Sequence, residues 1–255
     1  MSERFVRCRT AGHEPFYGVV AGTKVVKLAN APWLSRRTSD EEFDLDKVHL
    51  LAPVEPSKIV CIGLNYHAHV TASFSADKPP EYPLIFLKPP SSIIGPHDKI
   101  VHPPQSERVD YEAELGVVIG KTARNVSEHN AESHIFGFTC VNDVTARDLQ
   151  KKDGQWSRAK GFDTFCPVGP WIVTELNWRD VLVEGIHNGK IMQSGRTAQM
   201  IFNIPYLISY ISSAMTLFPG DLISTGTPSG IAPMKSGDTI HVRVEGIGTL
   251  ENSMA

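Results

Sequence analysis

The sequence predicts an α+β protein dominated by strands, with a small β-rich module over residues 1–55 and one larger body over 56–255. Two observations lead there. Short runs rich in Val, Ile and Phe recur along the chain, each closed by Gly, Pro, Asn or Asp, the mark of strands bounded by turns. Helical periodicity is confined to a few short segments.

Taken in order, FYGVV and KVVKLA read as short strands, TSDEEFDLDK as a charged stretch, and LLAPVEPSK, with Pro53 and Pro56, as a linker. The body then offers KIVCIGL, PLIFLK, SIIG, KIV, AELGVVIG, FGFTCVND, PVGPWIV, DLISTGT and TIHVRVEG as strands. SEHNAESHIF, NIPYLISYISSAM and VTARDLQK are the helix candidates. No internal repeat at a solenoid period and no low-complexity segment stands out.

Apolar residues make up 41% of the 255 and charged residues 21%, an ordinary globular balance that excludes a disordered or fibrous chain. A formal charge of -3 supplies no basic field, so nucleic acid is not an expected partner. The N-terminal MSERFVRCRTAGHEPFYG is broken by charge too often for a secretory segment, and no run approaches the roughly 18 apolar residues of a membrane helix. A soluble, cytoplasmic protein without membrane partners is expected. Cys8, Cys61, Cys140 and Cys166 are widely spaced with no CxxC pair, which favours buried thiols over disulfides or zinc.

VDYEAELGVVIG places Asp110, Glu112 and Glu114 two residues apart, so on a strand all three face one way. The strand runs straight into an apolar interior sequence, where close carboxylates are costly unless paired or bound to a cation. An exposed strand edge with solvated acids is the competing reading. Asp143, in FGFTCVNDVTARDLQ, stands where a strand ends and a helix begins; it could equally cap that helix or pair with Arg147. If Glu112, Glu114 and Asp143 converge, they form an all-oxygen set suited to Mg²⁺ or Mn²⁺.

The series GLNYxxH (63–69), PLIFLKPPSS (83–92), DYEAELGVVIGKTARNV (110–126), VNDVTARDLQ (141–150), AKGFDTFCPVGPW (159–171), FPGDLISTGTPSG (218–230) and VEGIGTLEN (244–252) closely resembles the fumarylacetoacetate hydrolase family. The likeness runs in order from residue 57 to the end, and the first 55 residues resemble the variable extra module of many bacterial members. It implies a catalytic fold of mixed β-sheets rolled into a barrel-like body, a divalent metal, usually Mg²⁺, and homodimers. Implied substrates are small molecules with a 2-oxo or 2-hydroxy-enoic acid group, opened by hydrolysis, decarboxylation or isomerisation. By the same likeness Glu112, Glu114 and Asp143 hold the metal, and Lys160 is the positively charged catalytic residue. Lys88, Arg147, Gln150 and Thr227 fall at positions close to the ligand. From its residue type alone Lys160 is as readily a solvated surface lysine, although GFDTFCP beside it looks interior.

NYHAHVTASF carries two histidines. His69 aligns with the family's general acid/base histidine and His67 with a variable position; a lone histidine is otherwise a surface or satisfied core imidazole. Family hydrolases commonly place a Glu three residues later to orient the imidazole, and here that position is Ala72. An unoriented imidazole is a poorer base for water attack, so carbon–carbon hydrolysis is weakened while decarboxylation, tautomerisation or isomerisation is not. A metal-binding paralogue with little catalysis, serving as a subunit or ligand sensor, is the alternative. Phe74, Trp156 and the DGQW segment are expected to set the remaining specificity.

Overall fold

The computed structural model describes residues 2–68 and 78–255. The chain begins with β1 (Arg4–Arg9), β2 (Phe16–Ala21), β3 (Lys24–Leu28), β4 (Thr38–Asp44) and β5 (His49–Leu51). The body adds β6 (Ile59–Gly63), β7 (Leu84–Lys88), β8 (Ile93–Ile94), β9 (Lys99–Ile100), β10 (Val109–Asp110), β11 (Ala113–Ile119), β12 (Ile135–Asn142), β13 (Thr145–Ala146) and β14 (Cys166–Val173). It ends with β15 (Leu182–His187), β16 (Lys190–Arg196), β17 (Leu222–Ser224), β18 (Thr239–Val244) and β19 (Gly248–Met254). Four helices lie wholly within the described residues: α1 (Glu128–Ala131), α2 (Arg147–Asp153), α3 (Ser157–Lys160) and α4 (Ile204–Ala214).

The strands form mixed sheets, as the sequence predicts. One large sheet runs β4-β3-β2-β1-β14-β12-β11-β17-β6-β7, with β5 joined to β1 and β8 to β14. A second runs β16-β15-β18-β19-β9, and β10 and β13 form a separate two-stranded ribbon. β11 lies at the centre, antiparallel to both β12 and β17, and every residue in it is buried. That explains its unalternated AELGVVI: a strand covered on both faces has no polar side to show.

Two apolar layers flank the large sheet. On one face Leu115, Val117 and Ile119 of β11 pack with Val242 and Val244 of the second sheet and with α4. α4 buries Ile204, Leu207, Ile208 and Ile211, an i, i+3, i+4, i+7 stripe, and starts at Asn203, whose Oδ1 accepts the Tyr206 N–H at 2.9 Å. On the other face Val118, Val141, Val168 and Ile172 share a core with Phe5, Leu28 and Val54 of the first strands and the linker. The four cysteines are buried and free. No described helix is long and apolar enough to cross a membrane.

Some elements differ from expectation. The charged TSDEEFD is strand β4, because an outer strand tolerates polar side chains on both faces. The hairpin β15–β16 lies outside the predicted strands although Asn188-Gly189, with φ of 49° and 77°, carries the turn that closes it. β19 also lies outside them, since GTLENSM is too polar to look interior. SEHNAESHIF forms only the short α1 and one 3₁₀ turn before Ile135 enters β12.

Candidate active site

The acidic motif does not form one continuous strand. Asp110 ends β10, which pairs with β13, and the ladder of the large sheet restarts at Ala113. The break is held by the end of β12: Asn142 Oδ1 accepts the Glu112 N–H and Glu112 O accepts the Asp143 N–H, each at 2.9 Å. Glu112 and Asp143 are thereby neighbours in space though 31 residues apart in the sequence (143 − 112). Glu114 projects from β11 beside β17, where Ser224 Oγ–H donates to its Oε2 at 2.5 Å and Gly226 N–H to the same oxygen at 2.8 Å. One oxygen from each of Glu112, Glu114 and Asp143 lies within 4.8 Å of the others, and all three residues are buried. Asp110 is absent from that cluster.

Two lysines and an arginine meet these acids. Lys160, at the end of α3, donates to Glu112 Oε2 at 2.9 Å and to Asp143 Oδ2 at 2.5 Å. Lys88, at the end of β7, donates to Asp143 Oδ1 at 2.6 Å and to the Val144 carbonyl at 3.1 Å. Arg147 binds Glu112 through Nη2 and Gln150 Oε1 through Nη1, the latter at 2.6 Å. The alternative Asp143–Arg147 pair does not form: the guanidinium turns to Glu112 and Asp110, and two ammonium groups take Asp143. Nor does Asp143 cap the helix, since α2 starts after Ala146 with no side-chain cap.

Burial disfavours the charged form of Lys160, but Asp143 and Glu112 beside it outweigh this and hold its pKa above the usual value. Arg147 behaves alike: burial opposes its charge, and Glu112 and Asp110 restore it. Glu114 is the exception. Desolvation first, then repulsion from Asp143 and Glu112, push its carboxyl up to about 8. No described side chain forms an ion pair with it, whereas its two acidic neighbours have lysines or an arginine. A buried acid of this kind, in a set without imidazole or thiolate, fits a hard divalent cation.

A pH dependence follows. Between about pH 4.5 and 8 the folded chain holds a proton on Glu114 that the unfolded chain has released, so stability without metal falls as pH rises through this window and levels off above it. Denaturant titrations from pH 5 to 9 in EDTA are expected to show this fall, and Glu114→Gln to flatten it. Calorimetry in buffers of different ionisation enthalpy is expected to detect proton release on cation binding below pH 8 and little above.

The acids line a small cleft together with the apolar Ile62, Leu64, Phe86 and Trp156 and the polar Arg147, Gln150, Lys160 and Thr227. Gly63 lets the Trp156 ring lie close, as a Cβ there would fall 2.7 Å from the ring. Gly226, at φ +102°, lets the TGTPSG loop pass Asn65. The Gly226 N–H of that loop donates to the carboxyl of the chain's own Glu114. Thr227 Oγ–H donates to the Ala113 carbonyl at 2.8 Å and accepts from Gln193 Nε2 at 2.8 Å.

Glu112, Glu114, Asp143, Lys160, Arg147, Gln150 and Thr227 thus line one cleft together with Trp156, whereas Lys88 is not in its lining and meets it through Asp143. His67 lines a different hollow, with Tyr66, Ser194 and Ser229. His69, Ala72 and Phe74 lie outside the described residues. Sequence reasoning passed over Asn65, Ser224 and Gln193. Asn65 ties the turn after β6 to the chain before α4: Nδ2–H donates to Thr225 O at 2.7 Å and Phe202 O at 3.1 Å, and Oδ1 accepts the Phe202 N–H at 2.8 Å. A buried amide inside an apolar GLNY run was the one signal available for it.

A strand-rich body whose cleft gathers buried carboxylates and matching cations suits an enzyme for small molecules. The chain belongs to the fumarylacetoacetate hydrolase family of enzymes: residues 58–255 match the family described as "Fumarylacetoacetate (FAA) hydrolase C-terminal", and residues 3–53 match "Rv2993c-like, N-terminal". It is 41% identical to oxaloacetate tautomerase YisK of Bacillus subtilis over 92% of this chain and 84% of that protein. It is 48% identical to 2,4-didehydro-3-deoxy-L-rhamnonate hydrolase of Sphingomonas sp. (strain SKA58), over 75% and 71% of the two chains. Among solved structures, a 2-hydroxyhepta-2,4-diene-1,7-dioate isomerase from Mycobacterium marinum matches with a TM-score of 0.91 and 40% identity, covering 99% of this chain and 98% of that one.

Proposed function

We propose that this protein is a Mg²⁺- or Mn²⁺-dependent enzyme that moves protons on small 2-oxo or 2-hydroxy-enoic diacids, tautomerising or isomerising them, with decarboxylation of a 2-oxo diacid as a related outcome. The observation that carries this reading is the buried triad Glu112, Glu114 and Asp143 in a cleft that also presents Arg147, Gln150 and Lys160. The similarity to a tautomerase and an isomerase over nearly the whole chain supports it. The homodimer implied by the family belongs to the same reading, as does its general acid/base, His69.

Glu112, Glu114 and Asp143 would hold the cation, which supplies Lewis-acid polarisation of a 2-oxo acid's carbonyl. Lys160 faces the negative charge that develops when a proton leaves the carbon next to that carbonyl. Arg147 and Gln150 orient a carboxylate of the ligand, and Phe86, Trp156 and Ile62 keep the reacting carbon out of water. In tautomerisation a C–H bond breaks, an O–H bond forms, and one relayed proton balances the step, so no water need be activated. Hydrolysis makes the greater demand on an oriented base, and Ala72 withholds the usual carboxylate.

The test is an NMR time course in D₂O with oxaloacetate, an acylpyruvate and a 2-hydroxymuconate-type diacid, each with Mg²⁺ and then with EDTA. Metal-dependent deuterium uptake and tautomer or isomer formation are expected. Efficient acylpyruvate cleavage would replace this reading with hydrolysis, and silence on all three, with Mg²⁺ bound, would favour a binding role. Ala72→Glu is expected to raise water-dependent cleavage in the same assay.

A further inference from the structure

Asp110 is the first acid of the DYEAE motif and the one that does not join the cluster of three. It is fully buried. Its side chain accepts from two guanidinium groups: Arg108 Nε–H to Oδ1 at 2.9 Å and Nη2–H to Oδ2 at 3.2 Å, and Arg147 Nε–H to Oδ2 at 2.9 Å. The backbone enforces this arrangement. In the β10–β13 ribbon Val109 lies opposite Ala146 and Asp110 opposite Thr145, and the Arg147 N–H donates to the Arg108 carbonyl at 2.8 Å. The motif's strand breaks after Asp110, sending this carboxylate to an arginine while Glu112 and Glu114 go on to the cleft.

Arg147 is consequently held by three nitrogens: Nε by Asp110, Nη1 by Gln150 and Nη2 by Glu112. A guanidinium carries five N–H donors, so two, one on each Nη, have no hydrogen-bond partner among the described residues, on a side chain that lines the cleft and is 20% exposed. A buried ion pair adds little net stability over an apolar pair of similar shape, but it fixes orientation. Two N–H groups held in place suit a carboxylate, which binds best to a preorganised planar fork.

We infer that Asp110 is a positioning residue: it locks the Arg147 guanidinium so that its two remaining donors receive a carboxylate of the substrate. The inference rests on the proposed reading of the cleft as a site for small 2-oxo acids. Asp110 acts through Arg147 and touches no ligand itself.

The experiment is a double-mutant cycle. Malate, a stable 2-oxygenated diacid, and oxalate are titrated calorimetrically in Mg²⁺ into wild type, Asp110→Asn, Arg147→Met and the double variant, with melting temperatures recorded for each. Neither single change strands a buried charge: Arg147 keeps Glu112 when Asp110 is neutral, and Asp110 keeps Arg108 when Arg147 is removed. Asp110→Asn is expected to weaken binding roughly 10- to 100-fold, the scale of a lost charge-assisted hydrogen bond, and to have no further effect in the Arg147→Met background. For turnover the same variant is expected to raise KM far more than it lowers kcat. Asp110→Glu, which keeps the charge but displaces it by one methylene, is expected to weaken binding as well.

Wild-type affinity in Asp110→Asn and Asp110→Glu, with Arg147→Met impaired, would overturn the positioning role and leave the reading of the cleft intact. A loss in Asp110→Asn that persists in full without Arg147 would overturn it too. If wild type binds neither probe, or Arg147→Met binds both normally, the carboxylate reading of the cleft falls and the inference with it.

Discussion

Replacing Glu114 by Gln is expected to abolish divalent-cation binding and to lower turnover by at least roughly a thousandfold, while the metal-free protein at pH 7 melts close to wild type. The two halves of this expectation have one cause. Glu114 is buried among like charges, and its carboxyl is pushed up to about 8, so at neutral pH without metal it is mostly protonated. A neutral Gln keeps its shape, and the amide oxygen can accept from Ser224 and Gly226 as the carboxyl does. The fold loses little, whereas a cation loses one of three carboxylates in a low-dielectric site. Titration calorimetry with Mg²⁺ and Mn²⁺, alongside melting with and without metal, checks it. Unchanged affinity would remove Glu114 from the metal site.

Asp143→Asn should behave differently, losing metal and stability together. Asp143 holds two buried ammonium groups, Lys88 and Lys160, and Lys88 donates to no other described side chain. Removing one partner of a buried pair strands the other, at a cost of about 3–5 kcal/mol. For a chain of this size that is a fall in melting temperature of roughly 6–20 °C. Adding Lys88→Met to Asp143→Asn removes the stranded charge and is expected to recover part of the loss without restoring cation binding. Equal melting of Asp143→Asn and wild type would show that Lys88 has another counter-charge.

The contrast between these acids shows what was legible in the sequence. Strand-rich architecture followed from turn-bounded β-branched runs, and central β11 followed from an apolar stretch without alternation. The polar edge strands β4 and β16, and β19 between β18 and β9, did not, because a strand with a solvated side carries a weak apolar pattern. Glu112, Glu114 and Asp143 stood out as acids running into interior sequence. Their partners were less legible. The i+4 spacing of Asp143 and Arg147 suggested a helical pair, yet Asp143 precedes α2 and faces two lysines brought from distant strands and helices. The even spacing of Asp110, Glu112 and Glu114 suggested a shared face, yet the ladder changes partner after Asp110. Spacing predicts neighbours only while one element persists; where it breaks, tertiary pairing decides.

The attachment of the first strands has its own consequence for how the molecule can be divided. β14 is bordered on one side by β12, which leads into Asp143, and on the other by β8 along Cys166–Pro167 and by β1 along Ile172–Val173. Phe5, Leu28 and Val54 fill the same core as Val141 and Ile172. A fragment begun after the linker would bare half a strand rail and an oily face directly behind the active-site scaffold, inviting aggregation during synthesis. The leading segment is therefore a fitted cover for the catalytic body, and transplanting that body alone into another protein would require a substitute for it.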